Sequence, residues 1–362
     1  MAELKDAIGN QPVNIVTHND PDGLLAAAIC TRGLEALGID DIEFYFESPS
    51  IIQKKRSRFL DDIDGDDFIG GFIIILDLPY HELARVWIDH HASELDTAVS
   101  DKTIFAVQDT TKSAAALTHD FFAEKLQIKE KLCDLAFLDF VNARDIGQVP
   151  KTITKEFETF SLAVFEDRDD YRFFTDMVDA LADGKDVKAI AAEGPVQIKA
   201  KKQHKMINRG IELLQNLFVA SNKEEFLHEI DVESDKKTSD QTKKRIFFHN
   251  QFLLFDFSDL DNLEKERKFG ASIPYYIIDG ELQKKELQYS FLLAMHGDDK
   301  TGDIHATISI NQALASVVAQ FDVGEFAKQQ GGGGHRFVAG FIVGPEQFLQ
   351  MITDTMDFFH VE

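Results

Sequence analysis

Three polar clusters interrupt the apolar segments of the first half of the chain, and each holds residue types that bind metal ions. The first is Thr17-His18-Asn19-Asp20-Pro21-Asp22-Gly23, which places one imidazole and two carboxylates within five residues. Gly23 lets the backbone turn tightly beneath them. Taken alone, Asp22 could equally be a helix N-cap. The second is Asp77, which ends the run Phe-Ile-Ile-Ile-Leu and precedes Leu78-Pro79, so it is either a ligand or a turn residue. The third is Asp89-His90-His91. Adjacent side chains on extended chain point to opposite sides, so one histidine can hold a metal while the other faces a substrate. A fourth cluster, Asn142-Ala143-Arg144-Asp145, ends a helical pattern. An acid at that end opposes the helix dipole, so Asp145 needs a compensating charge.

The elements around these clusters explain how distant residues could meet. Residues 13–17 (V-N-I-V-T) read as a strand, 24–37 as a helix closed by Gly38, and 43–46 as a strand. Residues 72–76 form a wholly apolar run, as in a buried parallel strand, and 85–88 a further short strand. Residues 113–123 and 131–143 read as helices. Alternating strands and helices predict an α/β domain with a mostly parallel sheet flanked by helices. Ligands of such sheets bind beyond the carboxyl ends of the strands, where the clusters fall.

Farther on, the chain is charged and helix-prone over 167–192, and Pro195 opens a long amphipathic stretch to Ala220. Residues 221–241 read as partly looped. From Arg245 the character becomes strand-like at 246–257, 275–278, 287–295, 305–310 and 337–343. The expected organisation is a catalytic domain over 1–192, a linker helix over 193–220 and a smaller α+β domain over 221–362. The active site is expected in the cleft between the domains. A glycine run, Gly331–Gly334, followed by His335-Arg336, sits before the last strand. Successive glycines let backbone N–H groups converge on an anion, and an arginine can fork onto a phosphate. The plain alternative is a turn between helix and strand.

The pattern H-x-D-x-D-G, then D, then D-H-H, then a later D, followed by G-G-G-G-H-R and Ala339-Gly340-Phe341, resembles the DHH phosphoesterase superfamily with its associated C-terminal domain. The resemblance covers the whole chain. It implies a metal-dependent hydrolase using two Mn²⁺ ions, with Mg²⁺ or Co²⁺ as substitutes; carboxylates with a minority of imidazoles suit Mn²⁺. By that resemblance His18 and Asp20 would hold one ion, Asp22, His90 and Asp145 the other, and Asp77 would bridge them. Asp139 competes with Asp145 for the last position. Asp89 would orient a histidine ring, and His91 would face the phosphate as hydrogen-bond donor or proton source. Ser113, Arg144, Asn311, Gly332, Gly333, Gly334, His335 and Arg336 are the expected substrate contacts. Ser113 is equally well explained as an N-cap. Asn311 stands near where many relatives carry an arginine.

Charge narrows the substrate. Lys and Arg number 38 against 63 Asp and Glu, a net charge of −25. Binding long nucleic acid requires neutralising many phosphates, so a long strand is an unsuitable partner. Two basic clusters, 54–58 and 199–209, would suffice for a few phosphates, although either could simply be a solvated face. The expected reaction is hydrolysis of a linear dinucleotide or very short oligonucleotide, such as pGpG, to mononucleotides. A cyclic-dinucleotide phosphodiesterase, a 3′,5′-bisphosphate nucleotide phosphatase, a RecJ-like exonuclease and a polyphosphatase are the rivals. A nucleotide-binding protein without activity is disfavoured because the acids and histidines are intact. No apolar run spans a membrane and no signal-peptide pattern opens the chain, so a cytoplasmic protein is expected, with a homodimer as the common assembly. Cys30 and Cys133 are expected to be reduced core residues.

Overall fold

The computed structural model describes residues 2–62, 65, 67, 69–91, 99–125, 127–128, 131–146, 148, 150–167, 169–215, 217–234, 246–257, 278, 281–297, 302–311, 320–334 and 336–361. The chain divides into two units, Met1–Gln203 and His204–Glu362.

In the first unit, α1 (Ala2–Ile8) precedes β1 (Val13–His18), α2 (Pro21–Glu35), β2 (Ile42–Glu47) and the short α3 (Pro49–Gln53). Then come β3 (Phe72–Leu76), β4 (Val86–Asp89), β5 (Phe105–Gln108) and α4 (Ala114–Asp120), which runs into a π turn over Phe121–Lys125. Helices α5 (Leu135–Asp145), α6 (Lys155–Glu166), α7 (Tyr171–Ala182), α8 (Val187–Ala191) and α9 (Gly194–Gln215) follow. The division between the units falls inside α9.

The five strands pair in parallel in the order β2-β1-β3-β4-β5. Alternate side chains leave the sheet on opposite faces. Ile15, Ile74, Leu76, Val86 and Ile88 join α2, α4, α5, α6 and α7 in one core. Val16, Ile73, Ile75 and Trp87 join Ile52, Phe59, Leu60 and Ile69 in another. The first face is covered by long helices. The second is packed by Ile52 of α3 and by Phe59, Leu60 and Ile69 after it. Both cysteines are buried and free.

The second unit contains β6 (Phe218–Val219), α10 (Lys223–Ser234), β7 (Ile246–His249), β8 (Phe252–Phe257), β9 (Phe291–Gly297) and β10 (Ile304–Ile310). It ends with α11 (Val323–Gln329), β11 (Gly333–Gly334), β12 (Val338–Val343) and α12 (Phe348–Phe358). The strands form one mixed sheet, β11-β12-β10-β9-β8-β7-β6. Residues 246–257, expected as one strand, are a hairpin. Asn250 (φ 43°) and Gln251 (φ 68°) both occupy the left-handed region, as a two-residue hairpin turn requires. Part of the expected loop over 221–241 is helix α10. Asn222 accepts the Glu225 N–H at 2.9 Å, and Phe226 and Ile230 are buried beneath it. The strand expected at 275–278 lies outside the described residues except for Ile278, which is helical.

Candidate metal centre

The order β2-β1-β3 makes the gap between the carboxyl ends of β1 and β3 a topological switch point, the usual ligand position in such sheets. His18 is the last residue of β1. Asp20 is the N-cap of α2, its Oδ1 accepting the N–H groups of Asp22 and Gly23, each at 3.0 Å. A Cβ on Gly23 would lie 2.2 Å from the His18 carbonyl oxygen, so glycine lets the helix start against the strand end. Asp22 therefore does not cap its own helix. Its two oxygens accept the N–H groups of Ala114 (2.7 Å) and Ala115 (3.0 Å) at the start of α4, where a helix offers unpaired donors.

Asp77 directly follows β3 and has φ 56°, a left-handed conformation that costs a non-glycine residue energy and that aspartate tolerates better than most. Its N–H donates to the Ile88 carbonyl at 3.0 Å, fixing it beside the end of β4. Asp89 closes β4, with His90 and His91 just beyond. Asp145 is the last residue of α5.

These elements converge on one cluster. His18 Nδ1 lies 3.0 Å from Asp20 Oδ2 and 3.5 Å from Asp77 Oδ2. His90 Nε2 lies 3.1 Å from Asp77 Oδ1, 3.1 Å from Asp145 Oδ2 and 3.8 Å from Asp22 Oδ2. His91 Nδ1 bonds Asp89 Oδ1 at 2.7 Å, and the two histidine rings are 4.7 Å apart. Asp139 is elsewhere, paired with Lys151 at 3.0 Å, so Asp145 is the acid that the fold brings to His90.

The electrostatics are those of buried opposite charges. Burial alone would lower His18, but Asp20 and Asp77 push it up to about 10. Burial likewise acts against protonated His90, yet Asp145 and Asp77 hold it well above the ordinary imidazole value. His91 is raised by Asp89 against the same burial effect. Burial, then the Asp77 charge, push Asp22 up to about 7. Burial also holds Asp145 well above the usual carboxylate range, with His90 opposing. Against burial, His18 draws Asp20 below that range, and the neighbouring imidazoles of His18 and His90 do the same for Asp77.

The side chains fit divalent cations. Three overlapping groups of ligand atoms each lie within 4.8 Å: His18–Asp20–Asp77, Asp22–His90–Asp145 and Asp77–His90–His91. Asp77 and His90 each belong to two groups. Asp77 Oδ2 and Asp145 Oδ2 are buried without a hydrogen bond, a costly state that a cation relieves. His91 is within reach of the cluster as well as of whatever lies in front of it.

The expected substrate contacts are placed differently. Ser113 is buried, and its hydroxyl accepts the Ala116 N–H at 3.4 Å, so it takes the N-cap role. The anion at this helix start is the carboxylate of Asp22. Arg144 is exposed, its guanidinium 5.6 Å from the Phe140 ring. Asn311, in the second unit, is buried and donates to the Tyr289 carbonyl at 3.0 Å. The Gly331 and Gly332 N–H groups close α11 by donating to the carbonyls of Lys328 (3.0 Å) and Ala327 (2.8 Å), so these two do not converge on an anion. Gly333 and Gly334 pair with Gly340 and Ala339. A Cβ on Gly332 would meet the Gly340 oxygen at 2.0 Å, so this glycine serves close packing. Arg336 is exposed, its Nε donating to the Phe321 carbonyl at 3.4 Å. His335 lies outside the described residues.

Sequence reasoning missed Asn142 as a positioning residue: its Oδ1 accepts the Ser113 N–H at 2.9 Å and ties α5 to the start of α4. Its place three residues before Asp145 was the available signal.

No family model matches the sequence, and no curated protein matches it. Solved structures do share the fold. A pGpG-specific phosphodiesterase, PggH from Vibrio cholerae, is 15% identical with a TM-score of 0.55, covering 96% of this chain and 99% of that one. The DHH domain of a protein assigned to a family of ribosomal proteins is 12% identical with a TM-score of 0.56, covering 98% of this chain and 87% of that one. RecJ in complex with Mn²⁺ from Thermus thermophilus is 14% identical with a TM-score of 0.51; the match covers 99% of this chain but only 54% of RecJ. The chain thus has the fold of the DHH phosphoesterases, and the ligand cluster stands at the carboxyl edge of its parallel sheet.

Proposed function

We propose that the protein is a Mn²⁺-dependent phosphodiesterase that hydrolyses linear dinucleotides or very short oligonucleotides, pGpG among them, to mononucleotides. The observation that carries this reading is the set of ligand groups joined through Asp77 and His90 at one sheet edge. His18, Asp20 and Asp77 would hold one ion, and Asp22, His90 and Asp145 the other, with Asp77 shared. Bound there, two such ions would supply an activated water and would offset charge at phosphorus.

The chain's own groups supply the rest. Asp89 holds His91 by Nδ1, which fixes the ring beside the cluster, where it would meet the substrate phosphate. The Asp89 carboxylate raises the His91 pKa, which favours the protonated ring that would donate to a phosphate oxygen. Backbone donors at the starts of α2 and α4 hold Asp20 and Asp22 in place before any ion binds.

A short linear substrate is favoured by the charge of −25 and by the end-to-end match to a pGpG-specific enzyme. No helix among the described residues is long and apolar enough to cross a membrane. The test is Mn²⁺-dependent turnover of pGpG, pApA, a five-residue RNA, a long single-stranded DNA, cyclic di-GMP, adenosine 3′,5′-bisphosphate and polyphosphate. Rapid loss of dinucleotides, with the long strand and the cyclic compound intact, is expected. Preference for any other member of the panel overturns the substrate assignment.

A further inference from the structure

The carboxyl end of β2 carries groups that the metal cluster leaves unused. Register sets Phe46 opposite Thr17 and Glu47 opposite His18, one strand spacing (about 4.8 Å) from the first metal ligand. Phe46 is buried, and its ring stacks on that of Tyr171 at 6.2 Å and 11°. Tyr171, the first residue of α7, nevertheless remains 41% exposed. On the other face of β2, buried Glu47 accepts the Ser57 hydroxyl at 3.0 Å.

Ser57 is fully buried and heavily bonded. Its N–H donates to Asp61 Oδ2 at 2.8 Å, and its Oγ accepts the N–H groups of Phe59 and Leu60, each at 3.2 Å. Asp61 is held in turn by His81 Nε2 at 3.2 Å. Ser57 is the only buried member of the segment Lys54-Lys55-Arg56-Ser57-Arg58, and the four cations around it are exposed. A merely solvated basic run needs no such anchor. Here it is fixed beside the catalytic edge of a chain whose net charge is −25.

Arg58 is the cation best placed. Burial raises both Glu47 and Tyr171, and the Arg58 charge opposes that rise in each, so it stands near both. Its guanidinium is 4.6 Å from the Phe59 ring, and its ion pair to Asp67, at 3.4 Å, is exposed at both ends. Exposed pairs are weak, so a phosphate could displace Asp67. An arginine forks onto phosphate, and an exposed aromatic ring stacks on any base.

We propose that this side of the sheet edge is the subsite for the second nucleotide of the substrate, with Arg58, flanked by Arg56, on the phosphate that is not cleaved and Tyr171 on a base. The inference rests on the reading of the protein as a short-oligonucleotide phosphodiesterase. Its test is equilibrium binding of pGpG, by calorimetry with Mn²⁺ present, to the full chain carrying Asp77→Asn to suppress cleavage. Adding Arg58→Ala or Tyr171→Ala is expected to weaken binding about tenfold in each case. Tyr171→Phe and the remote charge control Lys185→Ala are expected to stay within about twofold of the parent. Tyr171→Leu, which keeps apolar packing on Phe46, guards against a folding artefact and should behave as Tyr171→Ala. Affinity within twofold of the parent in either Arg58→Ala or Tyr171→Leu overturns the subsite. A parent that binds no pGpG overturns both the subsite and the proposed function. A wild-type protein that binds pGpG through these residues yet leaves it intact overturns the proposed function alone.

Discussion

The affinity of the centre for Mn²⁺ should rise at least tenfold per pH unit between about pH 6 and 8. His18, pushed up to about 10, carries a proton throughout that range and must lose it to bind a metal. Asp22, up to about 7, is half protonated at pH 7. These two alone release roughly 1.5 protons per binding event at pH 7, and that number is the slope of log affinity against pH. His90 and Asp145, both raised, steepen it further. The same linkage acts on stability. The folded-state value of His18 lies above its ordinary 6.5, so its contribution to the metal-free protein is complete below that pH and is lost as pH rises through about 10. The raised Asp22 contributes fully below its ordinary 3.8 and loses this as pH rises through about 7. The metal-free fold therefore weakens with rising pH while the metal-bound fold does not, and the gap in Tm between Mn²⁺ and EDTA should widen from pH 5 to 8. Calorimetry in buffers of different ionisation enthalpy counts the protons, and thermal melts follow the gap. An affinity independent of pH, or release of well under one proton at pH 7, would refute the reasoning.

Substitutions at four positions test the geometry. Gly23→Ala brings a Cβ to 2.2 Å from the His18 carbonyl oxygen and must push α2 off β1; it should cost about 1–3 kcal/mol in denaturant melts and weaken Mn²⁺ binding as well. Asp77→Asn should reduce turnover by about a thousandfold or more, with little loss of fold because asparagine tolerates the left-handed backbone. Asp77→Ala should be equally inactive but less stable, and a stable, active Asp77→Asn would sink the shared-ligand reading. Asp145→Ala should abolish Mn²⁺-dependent turnover, whereas Asp139→Ala, which breaks a partly exposed pair with the Lys151 side chain and a 3.3 Å bond from its N–H, should change stability by about 0–1 kcal/mol and leave activity near normal.

Much of the first unit is legible in the sequence because its strands are apolar runs that end in polar clusters. His18, Asp77 and His90 are readable as strand-end residues, and the sheet order then brings them together. Other features depend on partners distant in the chain. Asp22 looks like the cap of its own helix, yet its hydrogen bonds come from Ala114 and Ala115, more than ninety residues on. The role of Ser57 is invisible without Glu47 and Asp61, since a serine inside a basic run reads as solvated surface. The glycine run is the opposite case. Its composition suggests an anion nest, but Gly331 and Gly332 spend their N–H groups on the end of α11, and Gly332 is required by the approach of Gly340. The hairpin at Asn250-Gln251 escaped notice because its turn lacks the glycine that usually marks the left-handed positions.

The carboxylates of the cluster are not held equally, and this orders what metal removal should do. Asp20 and Asp22 each accept two backbone N–H groups, and Asp77 is approached by two imidazoles. Asp145 has a buried Oδ2 with no hydrogen bond, its closest partner being His90 Nε2 at 3.1 Å, an atom that also bonds Asp77. A buried carboxylate so poorly satisfied is costly without a cation, and it sits at the C-terminus of α5, where the helix dipole adds to the cost. Chelation should therefore loosen the last turn of α5 before it loosens β1 or the start of α2. Hydrogen exchange with and without EDTA measures this directly: amides of 142–146 should lose more protection than those of 13–25. Equal loss in both segments, or greater loss at β1, would mean that the metals stabilise the sheet edge as one block and that Asp145 is no weaker a member than the rest.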